Sequence, residues 1–103
     1  MSDRLDQLLK LLDADPRDPF LTYGIALEHG KADRLDEAIQ WLDRTLSIDP
    51  KYLYAYFQKA KILDAQGDTD RAKAVLDEGM RTAVAAGDAH AREEMADLRA
   101  GFE

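Results

Sequence analysis

The residues to weigh first for metal or proton chemistry are the two histidines, His29 and His90, which lie far apart in the sequence. Neither stands in an H-x3-H or H-E-x-x-H arrangement, the spacing that sets ligands on one helix face around zinc. No cysteine is present, so a thiolate metal site and a disulfide framework are excluded, while the redox compartment stays open. Carboxylates are plentiful and some are adjacent, as in Asp36-Glu37 and Glu93-Glu94. General acid–base work needs carboxylates held in a cleft that perturbs their protonation. Adjacent acids at helix starts serve instead as caps and dipole partners. There is no glycine-rich phosphate loop and no serine with a recognisable base. The chain therefore reads as a non-enzyme, with no catalytic residue, no cofactor and no metal.

Charge narrows the partners. The chain of 103 residues carries 21 acidic against 14 basic residues, a formal net charge of -7. Displacing counterions from phosphate needs a basic face, so nucleic acid is not an expected partner. The acidic excess serves solubility, with attraction to a basic partner as the alternative. Hydrophobic residues make up 46% and charged residues 34%, which suits one packed domain spanning 1–103 rather than a disordered tail. The opening from Met1 to Gln7 is polar and leads into an amphipathic stretch, and no run reaches membrane-spanning length. A cytoplasmic location without membrane contact is the expectation.

The elements that must position any site are helices. Asp15-Pro16 and Asp49-Pro50 each follow a leucine-rich helical run and lie 34 residues apart, the period of a helix-turn-helix repeat. Superposing 19–52 on 53–86 aligns Ala26 with Ala60, Asp36 with Asp70, Ala38 with Ala72, Leu42 with Leu76 and Asp43 with Asp77. Asp18-Pro19 reads as an N-cap and first helical residue, opening a helix to about Gly30. Asp33 is expected to cap the next helix, which carries Leu35, Ile39, Leu42 and Leu46 as a stripe and stops near Ile48. In the second unit a helix from Tyr52 to Gln66 ends at Gly67, and Asp68 caps its successor, with Ala72, Val75, Leu76 and Met80 inward. Leu5, Leu8, Leu9 and Leu12 form a stripe before Pro16. After Gly87, Asp88 caps a last helix with Ala91, Met95, Leu98 and Phe102 on one face. No alternating run long enough for a strand is present. The organisation is a half repeat (1–15), two full repeats (19–52 and 53–86) and a terminal capping helix (87–103).

On these residues the sequence resembles the tetratricopeptide repeat family, whose pattern is W-x2-L-G-x2-Y, then A-x3-F, then P. Those places hold Thr22, Ile25, Ala26, His29, Ala38, Leu42 and Pro50 in the first full unit. In the second they hold Tyr56, Lys59, Ala60, Leu63, Ala72, Leu76 and Val84. Lys59 replaces a core leucine, Gly79 a usual alanine and Val84 the closing proline. The resemblance implies an all-α solenoid of about six antiparallel helices in a right-handed superhelical stack. Ala26, Ala38, Ala60 and Ala72 would mark the closest helix approaches.

The resemblance also implies a function. The first helix of each repeat lines a concave surface that takes an extended peptide or a helix of another protein. Here those helices would present Phe20, Tyr23, Gly24 and Leu27, then Tyr54, Phe57, Gln58 and Lys61, with Tyr52 beside them. Aromatics supply stiff contact area at small entropic cost; Tyr56 is assigned to the core, and the others could instead fill gaps between repeats. A branch of the family clamps a terminal carboxylate with Lys, Asn and Arg. Phe20, Gly24, Tyr54 and Gln58 occupy those places, which favours an apolar or aromatic segment. His29, at the family's tyrosine place, is assigned to packing and His90 to solvent. The alternative is a self-associating module: a weak homodimer through the end helices or the aromatic surface, against simple capping of the stack.

Overall fold

The computed structural model describes residues 3–102; the Met1-Ser2 start of the polar opening and Glu103, at the end of the assigned terminal helix, lie outside them. Among the described residues there are six helices and no strand: α1 (Asp3–Ala14), α2 (Pro19–Lys31), α3 (Leu35–Ile48), α4 (Leu53–Ala65), α5 (Thr69–Ala86) and α6 (Ala89–Ala100). The chain divides into two compact units, one running to Pro50 and the other starting at Lys51. The first holds α1–α3 and the second α4–α6.

Helix ends follow local chemistry. Asp18 accepts a hydrogen bond from Phe20 N at 2.9 Å and Pro19 opens α2. Asp68 and Asp88 cap α5 and α6 by accepting from Arg71 N and Ala91 N. Asp33 does not cap α3. It lies in the left-handed region at φ 60, the turn position that Gly67 takes at φ 84 and Gly87 at φ 74. In all three turns the next amide closes back on the preceding helix at 2.9 Å: Arg34 to His29 O, Asp68 to Leu63 O and Asp88 to Ala83 O. Asp33 thus belongs to the end of α2. The capping position of α3 falls to Arg34, whose side chain makes no capping bond.

Proline decides how long each second helix runs. α3 has 14 residues and stops just ahead of Pro50, whereas α5 has 18 and ends only where Gly87 turns left-handed. Val84 stands one repeat after Pro50 and blocks nothing, so α5 gains a further turn. At the other end, α6 stops at Ala100 with Gly101 as its C-cap, so Phe102 lies past the helix rather than on its inner face.

In the first unit Leu5, Leu8 and Leu12 pack with Leu21 and Ile25 in one buried cluster, against which Leu9 and Trp41 rest. Gly24 is buried there too: a Cβ on it would stand 3.3 Å from Leu8 Cδ1, so its lack of a side chain lets α1 approach α2. The deepest face of α3 is Ala38, Leu42 and Thr45, which leaves the expected Leu35, Ile39 and Leu46 half-buried. In the second unit Ala55, Tyr56, Ala60 and Leu63 face Ala72, Leu76, Gly79 and Ala83, with Ala91 and Met95 closing the core from α6. Ala26, Ala38, Ala60 and Ala72 are all buried.

The two units solve one packing problem in two ways. Thr22 and Thr45, both fully buried, bring their Oγ1 atoms to 2.8 Å. Tyr56 and Gly79 occupy the same two repeat positions, and a Cβ on Gly79 would meet Tyr56 Cβ at 2.8 Å and Met95 Sδ at 2.6 Å. Two medium side chains in one unit thus become a large one and none in the other, which preserves interior volume. Thr45 also reaches Trp41 O at 2.8 Å and Thr22 reaches Pro19 O at 3.1 Å. Two hydroxyl protons cannot serve three contacts, and two bare oxygens do not rest at 2.8 Å. One threonine therefore donates to the other, and the acceptor of the pair donates onward to its own carbonyl, Trp41 O or Pro19 O.

Candidate functional site

α4 and α6 of the second unit build a continuous row of side chains from several of the expected residues. The Tyr54 and Phe57 rings meet edge to face, with centroids 6.3 Å apart and an interplanar angle of 63°. Lys61, one turn further along α4, sets its Nζ 5.7 Å from the Phe57 centroid, a cation–π contact at the surface. At the other end the Tyr54 hydroxyl donates to Glu94 Oε1 of α6 at 2.8 Å. His90 Nε2, one turn before Glu94, lies against the same oxygen. The row therefore runs Lys61, Phe57, Tyr54, Glu94, His90. Apolar ring surface fills its middle and opposite charges stand at Lys61 and Glu94.

Tyr54 is 38% exposed even with its hydroxyl bound, and Phe57 and Gln58 are half-buried. Tyr52 sits half-buried at the capping position of α4 without a side-chain capping bond. Tyr56 points inward, at 5% exposure, as assigned. In the first unit α2 carries Phe20, Tyr23 and Leu27 at helical spacing. Phe20 is 63% exposed and the other two are half-buried, whereas Gly24 is turned against α1 and presents nothing outward.

A second aromatic arrangement, which the sequence reading missed, lies on α2 and α3. The Trp41 indole stacks on His29 at 6.5 Å and 14°, and the Arg44 guanidinium lies 5.0 Å from the Trp41 centroid. Arg44 also donates to Pro16 O at 3.1 Å, and Arg34 Nε donates to His29 Nδ1 at 3.0 Å. Burial, and then the Arg34 cation, hold the His29 pKa below its ordinary value against an opposing pull from Glu37. An Nδ1 that accepts from a guanidinium must be unprotonated, so geometry and electrostatics agree. His29 is a packing residue. The contribution of α6 was also missed, although the helical spacing of His90 and Glu94 made their pairing readable.

Among the described residues no group of three or more His, Asp or Glu side chains could hold a metal ion, and no helix is long and apolar enough to cross a membrane. What the α4–α6 row offers is contact: ring faces, a cation and a carboxylate on a stiff helical support.

The repeated turns, the small residues at the helix crossings and the paired helices have counterparts in known proteins. The tetratricopeptide repeat family model matches residues 29–100. The chain belongs to that family. A tetratricopeptide repeat domain protein from Salinibacter ruber, solved by NMR, is 29% identical with a TM-score of 0.77, over 82% of this chain and 86% of that one. A protein from Bordetella parapertussis is 23% identical with a TM-score of 0.83, over 96% of this chain and 86% of that one. The TPR2B domain of yeast Sti1, solved in complex with pHsp70, is 20% identical with a TM-score of 0.86, over 92% of this chain and 76% of that one. Likeness at the identities of the last two shows the fold alone. No curated protein matches the sequence. Tetratricopeptide repeat domains are in general non-catalytic interaction modules.

Proposed function

We propose that this tetratricopeptide repeat chain takes a peptide or helix of another protein on the aromatic faces of α2 and α4. The residues that would carry the contact are Phe20, Tyr23 and Leu27 on α2, with Tyr52, Tyr54, Phe57, Gln58 and Lys61 at and along α4. The observation that carries the reading is the edge-to-face Tyr54–Phe57 pair, held from one end by Glu94 and flanked at the other by Lys61. Rings already locked in place lose little freedom on binding, and such residues dominate interface energetics. Phe20, Gly24, Tyr54 and Gln58 offer no cationic clamp for a terminal carboxylate, which favours an apolar or aromatic segment.

Affinity capture from a native extract tests this, comparing the wild type with a Tyr54→Ala/Phe57→Ala variant of unchanged helicity. Loss of the captured protein from the variant is expected, and equal capture by both would remove the reading.

Self-association is the second reading, favoured by two exposed apolar side chains on the first unit, Leu11 at 56% and Phe20 at 63%. Burying these across a two-fold axis would make a weak homodimer. Light scattering after size exclusion at rising concentration distinguishes the two; a monomer mass throughout rules this one out.

A further inference from the structure

The further turn of α5 that Val84 permits builds a surface outside the aromatic row. Val84, 62% exposed, lines a cavity of about 420 Å³ with Asp77, Met80 and Arg81 of α5 and Arg92 of α6. Across Arg81, a second cavity of about 330 Å³ is lined by Lys51, Glu78, Arg81, Thr82, Ala85 and Ala86. Both lie in the second unit, and none of their residues belongs to the Lys61–His90 row.

The charge state of the larger cavity decides what it can hold. Asp77 is already bound: Arg99 Nε and one terminal nitrogen reach its two oxygens at 2.7 Å and 3.2 Å. Arg4, Arg34, Arg44, Arg71 and Arg99 each have a partner. Among the described residues the side chains of Arg17, Arg81 and Arg92 make no hydrogen bond or ion pair, and the last two face this one cavity. Asp77 is the one acidic side chain lining this cavity, and it is taken by Arg99. The outcome is two uncommitted planar cations beside an apolar wall of Met80 and Val84.

We propose that this is a second binding site, for an acidic peptide segment in which an Asp or Glu side chain flanks an apolar one. Guanidinium forks match carboxylates in plane and in hydrogen-bond number. Met80 and Val84 supply the surface for the neighbouring apolar residue. The two guanidinium groups are side-chain cations rather than a helix-terminus clamp, so an internal Asp or Glu side chain serves as well as a chain end.

Selection from a phage-displayed library of random peptides tests the site, with the intact chain as bait. Wild type is expected to enrich sequences pairing Glu or Asp with Leu, Ile or Met. Synthetic peptides of the enriched sequence should bind with salt-dependent affinity that falls about tenfold or more in Arg81→Gln/Arg92→Gln. Replacing the peptide's acidic residues by their amides should have the same effect, and Tyr54→Ala/Phe57→Ala should have none. Both arginines are exposed and unpartnered, so the variant is expected to keep wild-type helicity. The proposal is overturned if no acidic sequence is enriched, or if enriched peptides bind the arginine variant as they bind wild type. It is equally overturned if their binding needs only a C-terminal carboxylate, or is lost only with Tyr54 and Phe57. Binding at the aromatic face stands or falls separately, on capture by the ring variant.

Discussion

Thr22 and Thr45 share a buried hydroxyl contact of 2.8 Å at the same two repeat positions that hold Tyr56 and Gly79 in the second unit. The hydroxyl pair links α2 to α3 where the other unit links α4 to α5 through ring packing. Thr22→Val keeps the shape and removes one hydroxyl of the pair, while Thr45 keeps Trp41 O within reach. A loss of about 1 kcal/mol in urea unfolding is expected. Thr22→Val/Thr45→Val should cost less than the two single losses added, because each single loss includes the shared contact. Strict additivity would mean that the two hydroxyls are not coupled.

Gly79 is the counterpart that Tyr56 requires. Gly79→Ala drives a methyl to 2.8 Å from Tyr56 Cβ, an atom fixed to the backbone that cannot swing aside. Despite the helix propensity of alanine, a net loss of roughly 1–3 kcal/mol is expected on thermal or urea unfolding. An unchanged or raised midpoint would show that the helices separate freely here.

At the α2–α3 turn the expectation is opposite in sign. Asp33 holds a left-handed φ of 60 that Gly67 and Gly87 adopt without a Cβ. Asp33→Gly should raise stability by about 1 kcal/mol by removing that conformational cost. The reverse change at the equivalent turn, Gly67→Asp, should lower it, and a fall in melting temperature for Asp33→Gly would contradict the argument.

His29 makes stability depend on pH. Its folded pKa lies below the ordinary value of 6.5, so the folded chain takes up a proton less readily than the unfolded one. Its contribution is therefore fully present above the unfolded pKa and is lost as pH falls below it toward the folded pKa. His29→Gln, which can still accept from Arg34, should flatten the stability slope between about pH 7 and pH 5. A wild-type slope retained in the variant would assign that dependence elsewhere.

How much of this was legible in the sequence depends on whether the cause was local. The proline spacing, the Asp18, Asp68 and Asp88 caps, the Gly67 turn and the leucine stripe of α1 each follow from a few neighbouring residues, and all are present. Asp33 misled because aspartate serves both N-caps and left-handed turns. Only its equivalence with Gly67 across the repeat separates the two roles. The family register sets Gly24 on the outer face, and nothing in its neighbourhood announces that Leu8 presses on it. The Trp41–His29 stack has no local signal, since His29 comes from the other helix of the repeat, whereas Arg44, three residues on along α3, was readable from helical spacing. Glu94 joined the Tyr54 row only because α6 packs where it does. The length of α5 could have been read from the missing proline at Val84.

The central claim is that locked aromatic side chains on α4 carry partner binding. Its most direct test is titration of the captured partner, or of its minimal binding peptide, against the wild type and the Tyr54→Ala/Phe57→Ala variant. A loss of about 2 kcal/mol or more, roughly thirtyfold in Kd, is expected with far-UV helicity unchanged. A well-folded double variant that binds with wild-type affinity would contradict the account.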